Sequence, residues 1–389
     1  MSFSRPKLNL LNKALVAATV LCMGQAASAV EVAPYFGHWG VSLNSAKQSA
    51  GMTSAILAFA TTYGSCAVTP GLNSKMSDAR SFVAGGGRLM VSFGGADGTY
   101  AEIACKDDNQ LFALMEKVMN DSGTRRFDFD IEGYQLLNAE GTARRARVLA
   151  RLQAKYPDLF VSFSLPAWFR GFDANSMNLL NVTKAAGVRI DMVNMMAMSF
   201  GVANINTLSP ATVGQAVVVS FRAAAQQVAG LFPNKSQGQI YAMMGITPMI
   251  GKNDDGSTFT LADAQTVAGF AAQNGVGMIS YWAFQRDQAQ SYNGYNMVSY
   301  SGIAQSNYQF HSIFKSAGGG YLPTPTPNAP VATAPAAGSC NAASWVQGRQ
   351  YAAGNVVRYT ANGRYYIANS ANPGYNPTVS TYYWSAYNC

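Results

Sequence analysis

Apolar residues in this chain follow two alternating rhythms. Short apolar or alternating runs fall at 32–36, 55–60, 88–93, 126–132, 160–165, 192–198, 239–245 and 277–283. Most are separated by longer stretches with apolar residues three and four apart, as at 110–119, 141–155, 212–229 and 261–274. The first rhythm is that of strands and the second that of amphipathic helices. Eight strands alternating with helices over roughly 290 residues predict an α/β fold, a (β/α)8 TIM barrel rather than a doubly wound sheet, since such barrels run to about 250 residues plus insertions.

One run differs from the other seven. Residues Arg126-Phe127-Asp128-Phe129-Asp130-Ile131-Glu132-Gly133 alternate apolar side chains with carboxylates. Successive strand residues point to opposite faces, so Asp128, Asp130 and Glu132 share one face and Phe127, Phe129 and Ile131 the other. The apolar face predicts burial under helices. The acidic face then lines a barrel interior or cleft, where like charges raise one another's pKa and favour keeping a proton.

Composition sets the limits. The 389 residues are 49% hydrophobic and 12% charged, which supports a large core and argues against global disorder. Residues 1–29 read as a signal peptide: a basic start, an apolar run from Ala14 to Met23 and Ala27-Ser28-Ala29 as a cleavage site. Secretion into an extracellular, oxidising compartment is expected, with no membrane anchor. The net charge is +8, of which Arg5, Lys7 and Lys13 contribute three, leaving +5 on the mature chain. No basic run stands out, so nucleic acid is not an expected partner.

After the barrel, at 318–339, the chain turns to Gly, Pro, Thr and Ala, a semi-extended linker without core-forming residues. Residues 340–389 then crowd aromatics into a small module. So small a unit needs a staple. Removal of Cys22 with the signal leaves four cysteines, and the domain boundary favours the pairs Cys66–Cys105 and Cys340–Cys389. With wide cysteine spacing and His38 and His311 the only histidines, neither metal nor cofactor is expected.

Glu132 at a strand end can donate a proton to a leaving group. A retaining glycosidase would ordinarily place a second carboxylate about 5–5.5 Å away. The other strand ends, Phe36, Ala60, Gly94, Pro166, Ser199, Thr247 and Phe284, offer no acid, and Asp97, Asp173 and Asp287 lie further on. The concentration of acids on one strand suggests that the nucleophile belongs to the substrate.

The run Phe127–Glu132 resembles the D-x-x-D-x-D-x-E signature of glycoside hydrolase family 18, the chitinases. Ser92-Phe93-Gly94-Gly95 is similar to the family's S-x-G-G motif, Val193–Met198 to its sixth strand, Gly245–Gly251 to the seventh-strand segment of the bacterial chitinase D-like group, and Ser280-Tyr281-Trp282 to the eighth strand. The resemblance implies Glu132 as general acid and base, Asp130 orienting the substrate acetamido group, and Asp128 sharing charge with Asp130. Trp282 would floor the sugar subsite, with Met196 and Ser92 beside it. Two departures stand out. Arg125 and Arg126 occupy the places of the first Asp and a Gly, and Met198-Ser199 replaces a Tyr-Asp pair. Tyr35 and Gln285 are the residues expected to supply the donor that Met198 cannot. The tail resembles a type 5/12 chitin-binding module, which implies Tyr375, Tyr382, Tyr383 and Trp384 on a sugar-stacking surface, with Trp345, Tyr351 and Tyr365 in its core.

The expected protein is a secreted, monomeric chitinase that cleaves β-1,4-linked N-acetylglucosamine polymers with retention, its partner being chitin or chito-oligosaccharides. The alternatives are an endo-β-N-acetylglucosaminidase acting on glycoproteins and a non-catalytic chitin-binding lectin or adhesin. The presence of Glu132 counts against the last.

Overall fold

A computed structural model describes residues 1, 30–209, 211–289, 298–317, 342–346, 349–352, 354–368, 377 and 384–387. Residues 2–29, where a signal peptide is expected, the expected linker at 318–339, and Cys340, Cys389, Tyr375, Tyr382 and Tyr383 lie outside the described residues. The chain divides into two compact units, 1–322 and 323–389.

The first unit is a parallel sheet rolled on itself and wrapped by helices. Its strands are β1 (Glu31–Val32), β2 (Tyr35–Gly37), β3 (Ser54–Ala60), β4 (Arg88–Gly94), β5 (Arg126–Asp130), β6 (Phe160–Trp168), β7 (Gly171–Phe172), β8 (Met192–Met196), β9 (Met244–Thr247), β10 (Gly251–Lys252), β11 (Thr258–Phe259) and β12 (Met278–Ile279). β1 and β2 are two halves of one strand broken at Pro34. β1 pairs with β12 and β2 with β3, which closes the circuit β1-β12-β9-β8-β6-β5-β4-β3-β2. This is the (β/α)8-type arrangement expected. β7 folds back on β6, and β10 and β11 form a separate hairpin outside the ring.

Two apolar layers fix which way each strand residue points. Outward residues pack under the helices in one continuous core, where Phe93, Phe129 and Phe163 from β4, β5 and β6 stack with ring centroids 5.4 Å apart. A smaller inner cluster holds Tyr35, Ile56, Ala58, Met90, Met192 and Met278, with Phe59 and Trp282 packed against it. The phenylalanines of β5 thus bury outward, and the alternation sends Asp128 and Asp130 into the barrel.

Helix ends follow local rules. The helix Leu261–Asn274 starts at a capping box in which Thr260 and Asp263 bond each other's backbone, and ends at Gly275 with φ 66°. The same kind of box corrects one strand expectation. Ser236 and Gln239 cap a helix at Gln237–Ala242, so the 239–245 run is helical in its first part and the strand is Met244–Thr247. The 126–132 and 192–198 strands are also shorter than expected, ending at Asp130 and Met196.

Cys66 and Cys105 form a disulfide across a separation of 39 residues. It joins the loop after β3 to the one after β4. Arg125 and Arg126 lie at the start of β5, away from its acidic end. Arg125 pairs with Asp158, and Arg126 with Glu31, which also takes Arg88.

In the second unit, Val356–Arg358, Tyr365–Ala368 and Trp384–Tyr387 form a three-stranded antiparallel sheet. Its core is Tyr351, Val357, Tyr366, Ala368 and Trp384, with Trp345 and Tyr359 against it. Two expectations are corrected. Trp384 is 2% exposed and packs edge-on to Tyr351, so it is core and not sugar-stacking surface. Tyr366, not Tyr365, fills the interior, because alternation along the strand puts only one of the two inside.

Candidate active site

The inner ends of β4, β5, β6, β8 and β9 carry a buried polar layer. Asp128 is fully buried at its centre. Its Oδ2 accepts from Ser92 at 2.7 Å and from Tyr35 at 2.9 Å, and its Oδ1 accepts from Ser164 at 2.8 Å. Asn194 Nδ2 donates to Ser164 at 2.8 Å, and Thr247 donates to Asn194 Oδ1 at 2.8 Å. A chain of hydrogen bonds thus runs from β9 to β5 through the barrel.

Burial pushes Asp128 upward, but the hydroxyls of Ser92, Ser164 and Tyr35 oppose it by stabilising the ionised form. Asp130 lies one pleat further out and is 3% exposed. Its Oδ1 has no hydrogen-bond partner. Burial and the charges of Glu132 and Asp128 drive it well above the ordinary carboxylate range. Both carboxyls are thus pushed upward, Asp130 the further of the two, toward keeping a proton.

Glu132 stands just past β5, immediately before a short 3-10 helix, Gly133–Leu137, which its side chain does not cap. Tyr100, from the loop after β4, holds its backbone: the Glu132 N–H donates to the Tyr100 hydroxyl at 3.1 Å. The Glu132 carboxyl is pushed up to about 7 by burial and then by the charges of Asp97 and Asp254. A carboxyl with that value is an acid that still carries its proton near neutrality.

Trp282 forms the aromatic wall beside these acids. Phe59 stacks on it at 5.7 Å with planes 13° apart, and Tyr35 and Trp39 approach it at 5.9 and 6.3 Å. Trp39 is 43% exposed and Trp168, at the end of β6, 59% exposed. Met196 is buried and Met198 half-buried at the end of β8.

Three residues expected to touch substrate are committed elsewhere. Ser92 is fully buried and its hydroxyl serves Asp128. The Tyr35 hydroxyl is buried and lies 2.9 Å from Asp128 Oδ2 and 2.7 Å from Ser164 Oγ, and it also bears on Asp130. The Gln285 amide is clamped on the Gly37 backbone, accepting at 3.1 Å and donating at 3.2 Å. The other distant acids are also resolved. Asp173 caps the helix Ala174–Ala185, and Asp287 accepts from the backbone N–H of Phe310 and His311. Sequence reading missed Ser164, Asn194, Thr247, Tyr100 and Phe59. An inward register on β6, β8 and β9, which follow β5 round the ring, was the available signal for the first three.

No family model matches the chain. A probable bifunctional chitinase/lysozyme of Escherichia coli is 33% identical over 210 residues, covering 52% of this chain and 23% of its own length. Endochitinase 11 of Metarhizium anisopliae is 33% identical over 210 residues, 52% of this chain and 40% of its own. This chain therefore spans less than half the length of either relative. The catalytic domain of a hyperthermophilic chitinase from Pyrococcus furiosus has a similar structure, with TM-score 0.67 and 27% identity over 75% of this chain and 97% of that one. Catalytic site mutants of a thermostable chitinase from the same organism, complexed with chito-oligosaccharides, align with TM-score 0.66 and 26% identity over 74% of this chain and 94% of that one. The barrel, with its graded acids and aromatic wall, is similar in fold to the chitinase catalytic domains and in sequence, over about half of this chain, to the two curated relatives.

Proposed function

We propose that the protein is a secreted chitinase that hydrolyses β-1,4 bonds between N-acetylglucosamine units with retention of configuration, by a substrate-assisted mechanism of the family 18 kind and with a chitinase D-like barrel. The observation that carries this reading is the placement of Glu132, its carboxyl pushed up to about 7, just past β5 and its buried Asp130, whose Oδ1 is unpartnered. That oxygen has the chemistry to accept the N–H of a substrate acetamido group.

Glu132 gives its proton to the glycosidic oxygen as the bond from that oxygen to the anomeric carbon breaks. The carbonyl oxygen of the same sugar's acetamido group bonds to the anomeric carbon, and a cyclic oxazolinium ion forms. The Asp128–Asp130 pair supplies the compensating negative charge. Water then attacks the anomeric carbon, opening the ring and passing its proton to Glu132. Two inversions leave the configuration retained. Trp282 offers an apolar face for the sugar.

The aromatic tail is proposed to be a chitin-binding module, tethered to raise the enzyme's concentration at an insoluble surface. Its small antiparallel sheet supports this reading. The residues expected to stack on sugar, apart from Trp384, lie outside the described residues. The basic, apolar and small-residue order of residues 1–29 supports export. No helix among the described residues is long and apolar enough to cross a membrane.

The test is Glu132→Gln assayed on a soluble chito-oligomer series, with products read by mass and anomer. Hydrolysis is expected to fall by roughly a thousandfold or more while sugar binding persists. Near-normal turnover sinks the assignment.

A further inference from the structure

We infer that Asn194 and Thr247 are positioning residues for Asp128: acting through Ser164, they fix the direction of one hydroxyl proton inside the barrel. This rests on the hydrolase reading only where it is tested by turnover.

The argument turns on the choices open to Ser164. Its Oγ lies within hydrogen-bond distance of Asp128 Oδ1 (2.8 Å), the Tyr35 hydroxyl (2.7 Å) and Asn194 Nδ2 (2.8 Å). It has one proton to give. An amide nitrogen has only protons to offer, so Asn194 in this orientation must donate to Ser164. The serine proton is then directed to Asp128.

The other end of the Asn194 amide is partnered by Thr247, whose hydroxyl donates to Asn194 Oδ1 at 2.8 Å. The backbone of β9 closes the other side. A Cβ at Gly245 would stand 2.6 Å from Asn194 Oδ1, so the amide rests directly on bare glycine. Ser164, Asn194 and Thr247 are 0–1% exposed, which keeps water from substituting for a missing partner.

Remove the Thr247 hydroxyl and the amide can turn over. Its oxygen then faces Ser164 and competes for the proton that Asp128 receives. Asp128 loses a donor to its ionised form and holds a proton more readily. The titratable groups facing Asp128 are Tyr35 from β2 and Asp130 on its own strand, with Glu132 beyond. β4, β6 and β8 face it with the neutral Ser92, Ser162, Ser164 and Asn194.

The experiment compares full-length wild type, Thr247→Val and Thr247→Ser. Infrared titration follows the buried carboxyls, with the Asp128 signal assigned by its loss in Asp128→Asn. In the valine variant the Asp128 titration is expected to move up by about half to one pH unit, because a donor to the ionised form is gone. The serine variant, which keeps the hydroxyl, returns it to the wild-type position. On a soluble chito-oligomer, kcat of the valine variant falls about five- to thirtyfold with KM within about twofold, and the acid limb of its pH profile shifts upward in step. If valine does not fold, Thr247→Ala removes the same hydroxyl. An unshifted Asp128 titration, or a serine variant that behaves like valine, overturns the inference whether or not the protein proves to hydrolyse chitin. Inactive wild type with a shifted titration overturns the hydrolase reading alone.

Discussion

Tyr100 holds the backbone of Glu132 in place from the neighbouring strand's loop. Its hydroxyl accepts the Glu132 N–H at 3.1 Å, and its single proton is shared between the carbonyls of Asp130 and Gly95, both at 3.0 Å. Glu132, the proposed acid, is therefore held by a residue 32 positions earlier in the chain. Tyr100→Phe keeps the ring and leaves a part-buried N–H without its partner. It is expected to cost about 1–3 kcal/mol in denaturant unfolding, and to lower kcat more than KM.

The pH profile should carry the signature of Glu132. In the proposed mechanism its proton goes to the leaving group, and the carboxyl is pushed up to about 7. Activity on a soluble oligomer should therefore fall as pH rises through about 7. Stability follows the same group. A carboxyl raised in the folded state stabilises least once ionised, so its contribution is present below about 4.5 and lost as pH rises to about 7. Glu132→Gln should therefore melt higher than wild type at pH 8, by roughly 1–3 kcal/mol of stability, and match it near pH 4. An equal gap at both values would show that burial and neighbouring charge do not shift Glu132.

Phe59 backs Trp282 with nearly parallel rings 5.7 Å apart. Such a pair contributes about 0.5–1.5 kcal/mol beyond the area it buries. Phe59→Ala removes the support without touching an acid. The expected result is a drop of about threefold to tenfold in kcat/KM on chito-oligomers, with the pH profile unchanged. Tryptophan fluorescence, compared with a Trp282→Phe chain, reads the loosened ring directly.

Trp384 is the centre of the tail's small core. Trp384→Ala should cost about 3–5 kcal/mol, more than so small a unit can spare. Binding to insoluble chitin should fall while cleavage of soluble oligomers stays near wild type. Equal loss of both would make the tail part of the catalytic unit.

The strand and helix rhythm was legible because the outward face of each strand has a single demand, burial under a helix. Phe127 and Phe129 met it, which forced Asp128 and Asp130 inward. Boundaries were less legible. The 239–245 run is apolar enough for a strand, yet the Ser236–Gln239 box closes a helical turn first. In the tail, aromatic density marked a module but not which ring turns inward, so Trp384 was misplaced on the surface and Tyr365 in the core.

By itself the sequence determined the barrel class and the strand that carries the acids, because these depend on alternation and residue type along the chain. The partners of those acids were decided only by the tertiary structure. Ser92, Ser164, Asn194 and Thr247 are ordinary polar residues spread over 156 positions, and only rolling the sheet brings their side chains to one level. Tyr35 and Gln285 looked available for substrate until the fold set them against Asp128 and Gly37. A hydrogen bond depends on distances of a few tenths of an ångström, and across strands those are fixed by register and curvature rather than by local sequence.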